Sequence, residues 1–113
     1  MKLRDEIKWF SENMEMELRA NDYKSGWRDC WIEDILARIP DEYHELLEAV
    51  ASKDVERVIA EAADVANFAL MVADIANRYG IQLGEAAEHL VHPTVATVAA
   101  QEVKSDADAR NSG

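Results

Sequence analysis

Apolar residues recur at spacings of three and four near the start of the chain, at Leu3, Ile7, Phe10, Met14 and Leu18. That period predicts an amphipathic helix from about Leu3 to Ala20, with a stripe that partners must cover. The stretch Asn21-Asp22-Tyr23-Lys24-Ser25-Gly26-Trp27 breaks the period with turn-forming residues and reads as an ordered loop, in which Gly26 can adopt backbone angles that other residues resist. A second stripe, Ile32, Ile35, Leu36, Ile39, Tyr43, Leu46, Leu47 and Val50, keeps helical phase across Pro40, which either kinks one helix or starts a new one. The link Ala51-Ser52-Lys53-Asp54 is short, which makes the helices on its two sides antiparallel neighbours. Asp54 is suited to N-cap a third helix reaching about Tyr79, with Gly80 as its stop. A fourth helical stretch is expected from Gly84 to Val91, interrupted at His92-Pro93 and resumed to about Val103. The expected fold is therefore all-α, an antiparallel bundle of about four helices in a single domain over residues 1–103, followed by a disordered tail over residues 104–113.

Composition agrees with this class. The 113 residues allow one modest core, and a 49% hydrophobic content with four Gly and two Pro favours helix formers over strand formers. A bundle this thin carries apolar stripes on several sides, so a homodimer or a homotetramer built as a dimer of dimers is expected to complete the core. Lys and Arg number 12 against 23 Asp and Glu, a formal net charge of -11, which argues against binding a nucleic-acid backbone by bare electrostatics and obliges any phosphate ligand to bring bridging cations. Cys30 is the only cysteine, so no intrachain disulfide can form, and the polar start Met1-Lys2-Leu3-Arg4-Asp5-Glu6 is unlike a secretory signal. The expected compartment is the cytoplasm. The apolar run Val65 to Ala73, bounded by Asp64 and Asp74, is too short to span a bilayer, and no membrane anchor is expected.

Two acidic pairs carry the candidate chemistry, Glu42 with Glu45 and Glu61 with Asp64. Residues three apart on a helix are separated by roughly 4.5 Å along its axis and ~60° around it, so each pair can address one site. Folding back around Lys53 sets Glu45 level with Glu61 and Glu42 level with Asp64, because each couple is symmetric about that residue. Acids at this spacing also make an ordinary solvated face, but the neighbours argue otherwise. Phe68 and Met71 follow Glu61 and Asp64 by seven residues, and Ile35 and Ala49 flank Glu42 by the same step. Carboxylates on such inward stripes repel one another and lose hydration, so they need protonation, cationic partners or a metal. Arg38 and Arg57 are the nearest cations, which leaves a divalent metal as the better explanation. Oxygen-only ligands favour magnesium, manganese or calcium over zinc.

These residues resemble the MazG-type members of the all-α nucleoside triphosphate pyrophosphohydrolases, whose pattern is E-x-x-E, a variable spacer and E-x-x-D. Asp41-Glu42-Tyr43-His44-Glu45-Leu46-Leu47-Glu48-Ala49-Val50 is similar to the family's second helix, and Glu61-Ala62-Ala63-Asp64-Val65-Ala66-Asn67-Phe68 to its third. Lys24-Ser25-Gly26-Trp27 is similar to a K-G-G-W element of small phage-type and bacterial members. The resemblance covers roughly Asn21 to Ala76. Glu45 with Glu48 forms a second E-x-x-E, but Glu42 with Glu45 matches the helix better and centres the symmetry on the link, leaving Glu48 as a candidate ligand of a second metal.

The resemblance implies a magnesium-dependent enzyme, with manganese as a substitute, that hydrolyses a nucleoside triphosphate to the monophosphate and pyrophosphate in nucleotide-pool housecleaning. Glu42, Glu45, Glu61 and Asp64 would bind the metal, and one carboxylate would orient or deprotonate the attacking water. Lys24 could contact phosphate and Trp27 or Trp31 could stack on the base. The lysine could equally be a solvated loop residue, and each tryptophan part of the core or of a subunit contact. Asn67, in an apolar neighbourhood one turn beyond Asp64, should hydrogen-bond a nucleotide or another helix. His89 and His92 are set aside as surface residues. A carboxylate-bridged di-iron bundle requires E-x-x-H motifs, and none occurs. The remaining alternative is a non-enzymatic acidic interaction or regulatory protein, which should display its acids outward.

Overall fold

The computed structural model describes residues 1–22 and 26–84. They form three helices, α1 (Asp5–Ala20), α2 (Ile32–Ser52) and α3 (Val55–Tyr79), with no strand among the described residues. The chain divides into Met1–Gln82, which holds every feature discussed below, and Leu83–Gly113. Beyond Gly84, the expected fourth helical stretch and the tail lie outside the described residues, as does Lys24.

α3 is the central element and packs against both α1 and α2. Its start is set by Asp54, whose Oδ1 accepts from the Arg57 amide at 3.1 Å, filling one of the four donors that a helix start leaves unpaired. Its end is set by Gly80 at φ 76°, a conformation that suits glycine, with its amide donating to the Ala76 carbonyl at 2.9 Å. Between α2 and α3 only Lys53 and Asp54 intervene. Lys53 turns the chain in the left-handed region at φ 59°, and its amide donates to the Val50 carbonyl at 3.0 Å. Pro40 lies inside one continuous α2, which settles the choice between a kinked helix and two separate ones in favour of a single element. Its ring withdraws the amide that would have bonded the carbonyl four residues back.

The core sits at the end of the hairpin away from Lys53. Ile32 and Ile35 of α2 meet Ile75 of α3, each 5% exposed, and Trp27, Phe68, Met71, Val72 and Ala76 pack around them. Nearer the turn, Ala49 of α2 and Ala63 of α3 are fully buried, so the small side chains let the helices come close. α1 begins at Asp5 with acidic residues in its first turn and Arg19 in its last, both matched to the helix dipole. It has no buried residue, and Phe10, Met14 and Leu18 are half-buried. No helix among the described residues is long and apolar enough to cross a membrane.

Removing the Asp54 cap should weaken the hairpin directly. Asp54→Ala is expected to lower unfolding stability by about 1 kcal/mol, read as a fall in the urea midpoint with an unchanged slope. An unchanged midpoint would show that the cap contributes nothing.

Candidate functional site

The sharp turn at Lys53 returns α3 alongside α2 and brings the two acidic pairs together. Glu42, Glu45 and Glu61 each present a carboxylate oxygen within 4.8 Å of the others. Asp64 is half-buried beside them, and its charge acts on both Glu42 and Glu61. The Glu42 side chain is 13% exposed. Glu61 is half-buried, with its Oε2 inaccessible and lacking a hydrogen-bond partner, and Glu45 lies on the open side.

Burial and mutual repulsion raise the proton affinity of this group. Burial is the largest cause at Glu42, followed by the charge of Glu45, a proton shared with Glu45, and the charges of Asp64 and Glu61, which together lift it from the ordinary 4.5 to about 7. Glu61 is raised for the same reasons, burial first and Glu45 and Asp64 next, against a small opposing pull from Arg57. Nearby cations are poorly placed to relieve the strain. Arg38 Nη2 is 4.0 Å from Glu42 Oε1 on a side chain that is 65% exposed, and Arg57 pairs with Glu48 instead, also at 4.0 Å.

The donor set fits a hard divalent cation. All of its donors are oxygens, three converge within 4.8 Å, and one buried oxygen of Glu61 has no hydrogen-bond partner that a cation would displace. No histidine or cysteine belongs to the group among the described residues, which disfavours zinc. His44 stands between the acids in sequence but is exposed, with its ring against Tyr43.

Glu42, Glu45 and Asp64 line a cavity of about 600 Å³, whose wall continues through Arg38, Asn67, Phe68, Met71 and Trp27 and is completed by Glu17 and Leu18 of α1 and by Asn21 just past its end. Trp27 is half-buried and its Nε1 donates to Asp74 Oδ2 at 3.0 Å. Asn67 is 3% exposed and its Nδ2 donates to the Met14 carbonyl at 3.0 Å. Trp31 is 51% exposed and borders a separate, smaller hollow with Arg28, Ile75 and Tyr79. Glu48 is not part of the converging group and lies 4.0 Å from Arg57 Nη2.

Three features were not anticipated. Asp74 takes the Trp27 indole from 47 residues away and is held in turn by Arg78 Nε at 2.9 Å. The Asp74–Arg78 spacing of four was visible in the sequence, but its target was not. Arg38 lies over the Phe68 ring, 5.1 Å from its centroid, in a cation–π contact at the cavity wall. Glu33 is only 6% exposed, although its place in the first turn of α2 reads as solvated.

Among the described residues, helices alone and acids set inward on a helical hairpin fit a helical protein with a site for a hard cation. The chain matches the family model of the MazG nucleotide pyrophosphohydrolase domain over residues 32–93, more than half of its length, and it belongs to that family. The match takes in α2, α3 and both acidic pairs. No curated protein and no solved structure matches the chain.

The raised Glu42 gives a pH dependence of defined sign. Between pH 4.5 and about 7 the folded state keeps a proton that the unfolded state releases, so stability of the metal-free protein falls as pH rises through that window. The loss attributable to Glu42 is on the order of 3 kcal/mol. Urea midpoints measured in EDTA should be lower at pH 8 than at pH 5, with most of the difference removed by Glu42→Gln. A midpoint that rises with pH, or the same slope in the variant, would refute the assignment.

Proposed function

We propose that the chain is a magnesium-dependent nucleoside triphosphate pyrophosphohydrolase that converts ribo- or deoxyribonucleoside triphosphates to monophosphates and pyrophosphate, in nucleotide-pool housecleaning. The observation that carries this reading is the convergence of Glu42, Glu45 and Glu61 within 4.8 Å, at the edge of a cavity of about 600 Å³. Family membership supports the reaction class.

On this reading Glu42, Glu45, Glu61 and Asp64 hold the metal, with manganese as a substitute. Magnesium, when bound, supplies the positive charge that lets a triphosphate approach four carboxylates and stabilises negative charge on the phosphate oxygens. The chain's own part is to fix these carboxylates on two rigid helices, so that little reorganisation is needed when substrate arrives. A water oxygen bonds to phosphorus, the bond linking the α and β phosphates breaks, and the water proton passes to a carboxylate. Arg38, exposed and beside Glu42, is placed to meet a phosphate oxygen, and Trp27 and Phe68 provide flat surfaces at the far wall. Glu48 and Trp31 stand apart from this cavity and are given no role in it. The inward set of Glu42 and Glu61 weighs against an acidic interaction protein, whose charge would have to face outward. The stripe Leu36, Tyr43, Leu47 and Val50, 43% to 53% exposed on one face of α2, supports a second copy as the partner that completes the bundle.

Purified protein incubated with canonical and modified nucleoside triphosphates should release pyrophosphate and monophosphate, stop in EDTA, and recover with added magnesium. Glu45→Gln and Asp64→Asn should each lower kcat at least about 100-fold, close to 3 kcal/mol of transition-state stabilisation, with helical content unchanged by circular dichroism. Orthophosphate as the product, turnover in EDTA, or full activity of both variants would contradict the proposal.

A further inference from the structure

The carboxylates account for the phosphate end of a nucleotide but for nothing beyond it. Asn67 lies one turn further along α3 from Asp64, is 3% exposed, and shares the same cavity wall. Its amide orientation is determined by the bond from Nδ2 to the Met14 carbonyl at 3.0 Å, since the flipped amide would set two acceptors against each other. Oδ1 is therefore turned elsewhere, and it is buried with no hydrogen-bond partner. A buried amide oxygen left unpaired is destabilising, and tying α1 to α3 requires only the donor. No group of the surrounding wall donates to it. Phe68 and Met71 are apolar, and Trp27 has already committed its N–H to Asp74, which leaves only its carbon surface for a ligand.

Resting on the nucleotide reading above, we propose that Asn67 is a specificity-determining residue whose Oδ1 accepts a hydrogen bond from an N–H or O–H group of the nucleoside. The shared chemistry is a donor, supplied either by the base or by the sugar. Because Nδ2 is held by Met14, the contact is acceptor-only, and a nucleoside without a donor at that point leaves the buried oxygen unpaired. Oδ1 is inaccessible in the ligand-free chain, so a nucleoside reaches it after a small adjustment of the neighbouring wall side chains, with the bond to Met14 kept.

The test deletes donors one at a time on the full chain with magnesium. The base arm compares dCTP with its 2-pyrimidinone analogue, dATP with the unsubstituted purine analogue, and dTTP with N3-methyl-dTTP. The sugar arms compare 2′-deoxy with 2′,3′-dideoxy substrates, and ribo with 2′-deoxy substrates. Each pair is measured as kcat/KM and, independently of turnover, as calorimetric binding of the α,β-imido triphosphate. One deletion should cost about 10- to 100-fold in the wild type and less than about threefold in Asn67→Ala. A loss in the base arm assigns the donor to the base, and a loss in a sugar arm assigns it to a hydroxyl. If Asn67→Ala fails to fold by circular dichroism, the near-isosteric Asn67→Leu, which fills the volume but offers no acceptor, serves in its place. Wild-type turnover that is equally indifferent to every deletion, or equal losses in wild type and variant, overturns the Asn67 assignment and leaves the pyrophosphohydrolase reading intact. Absence of both turnover and binding for every parent triphosphate overturns that reading, and the Asn67 assignment with it.

Discussion

Carboxylates that face one another across two packed helices repel, and the hairpin of α2 and α3 forces that repulsion by holding three of them within 4.8 Å and Asp64 alongside. Helices can sustain such an arrangement only if other contacts hold them in register. Here those contacts are concentrated at the two ends of the hairpin. Ile32, Ile35 and Ile75 form a core at one end, and the Lys53 turn with its Asp54 cap closes the other. The close approach near Ala49 and Ala63, both fully buried, leaves the acids no room to splay apart. Repulsion that cannot be relieved by movement must be relieved by charge, either a proton, as the raised Glu42 indicates, or a cation.

The same packing gives the cavity two chemically distinct parts. Glu42, Glu45 and Asp64 line one part, and Trp27, Phe68 and Met71 line the other. Arg38 belongs to both, with its guanidinium beside Glu42 and over the Phe68 ring. Trp27 comes from a loop with no regular structure, and a loop residue would ordinarily be mobile. Its indole is fixed by Asp74, which is itself fixed by Arg78, so α3 supplies both the carboxylates at its middle and the anchor for the aromatic wall at its end.

The hairpin was legible because its signals are local. Apolar periodicity marks α2 and α3, Asp54 and Gly80 mark the limits of α3, and the equal distances of the acidic couples from Lys53 follow from antiparallel geometry alone. The inward stripe of Phe68, Met71, Ile35 and Ala49 likewise identified the face on which the acids lie. What could not be read depends on contacts between distant segments. The Trp27–Asp74 bond joins residues 47 apart, the Asn67–Met14 bond joins residues 53 apart, and no periodicity encodes either. Glu33 shows the same limit, since its position in the first turn of α2 signals solvent exposure while the tertiary fold buries it. At Pro40 the residue type permitted two outcomes, and continuous packing along α3 favours the unbroken helix.

α1 acquires its purpose from the cavity rather than from the core. It contributes no buried residue, and its stability as an isolated helix of 16 residues would be marginal. What holds it includes the half-buried Phe10, Met14 and Leu18 and a side-chain bond from Asn67 to its backbone. Yet Glu17, Leu18 and Asn21 close one side of the cavity that α2 and α3 open. An element attached chiefly by half-buried contacts can yield at lower cost than the hairpin can. The rigid helices therefore carry the carboxylates, whose geometry must not change, and the more loosely held helix forms the wall that has to accommodate whatever enters.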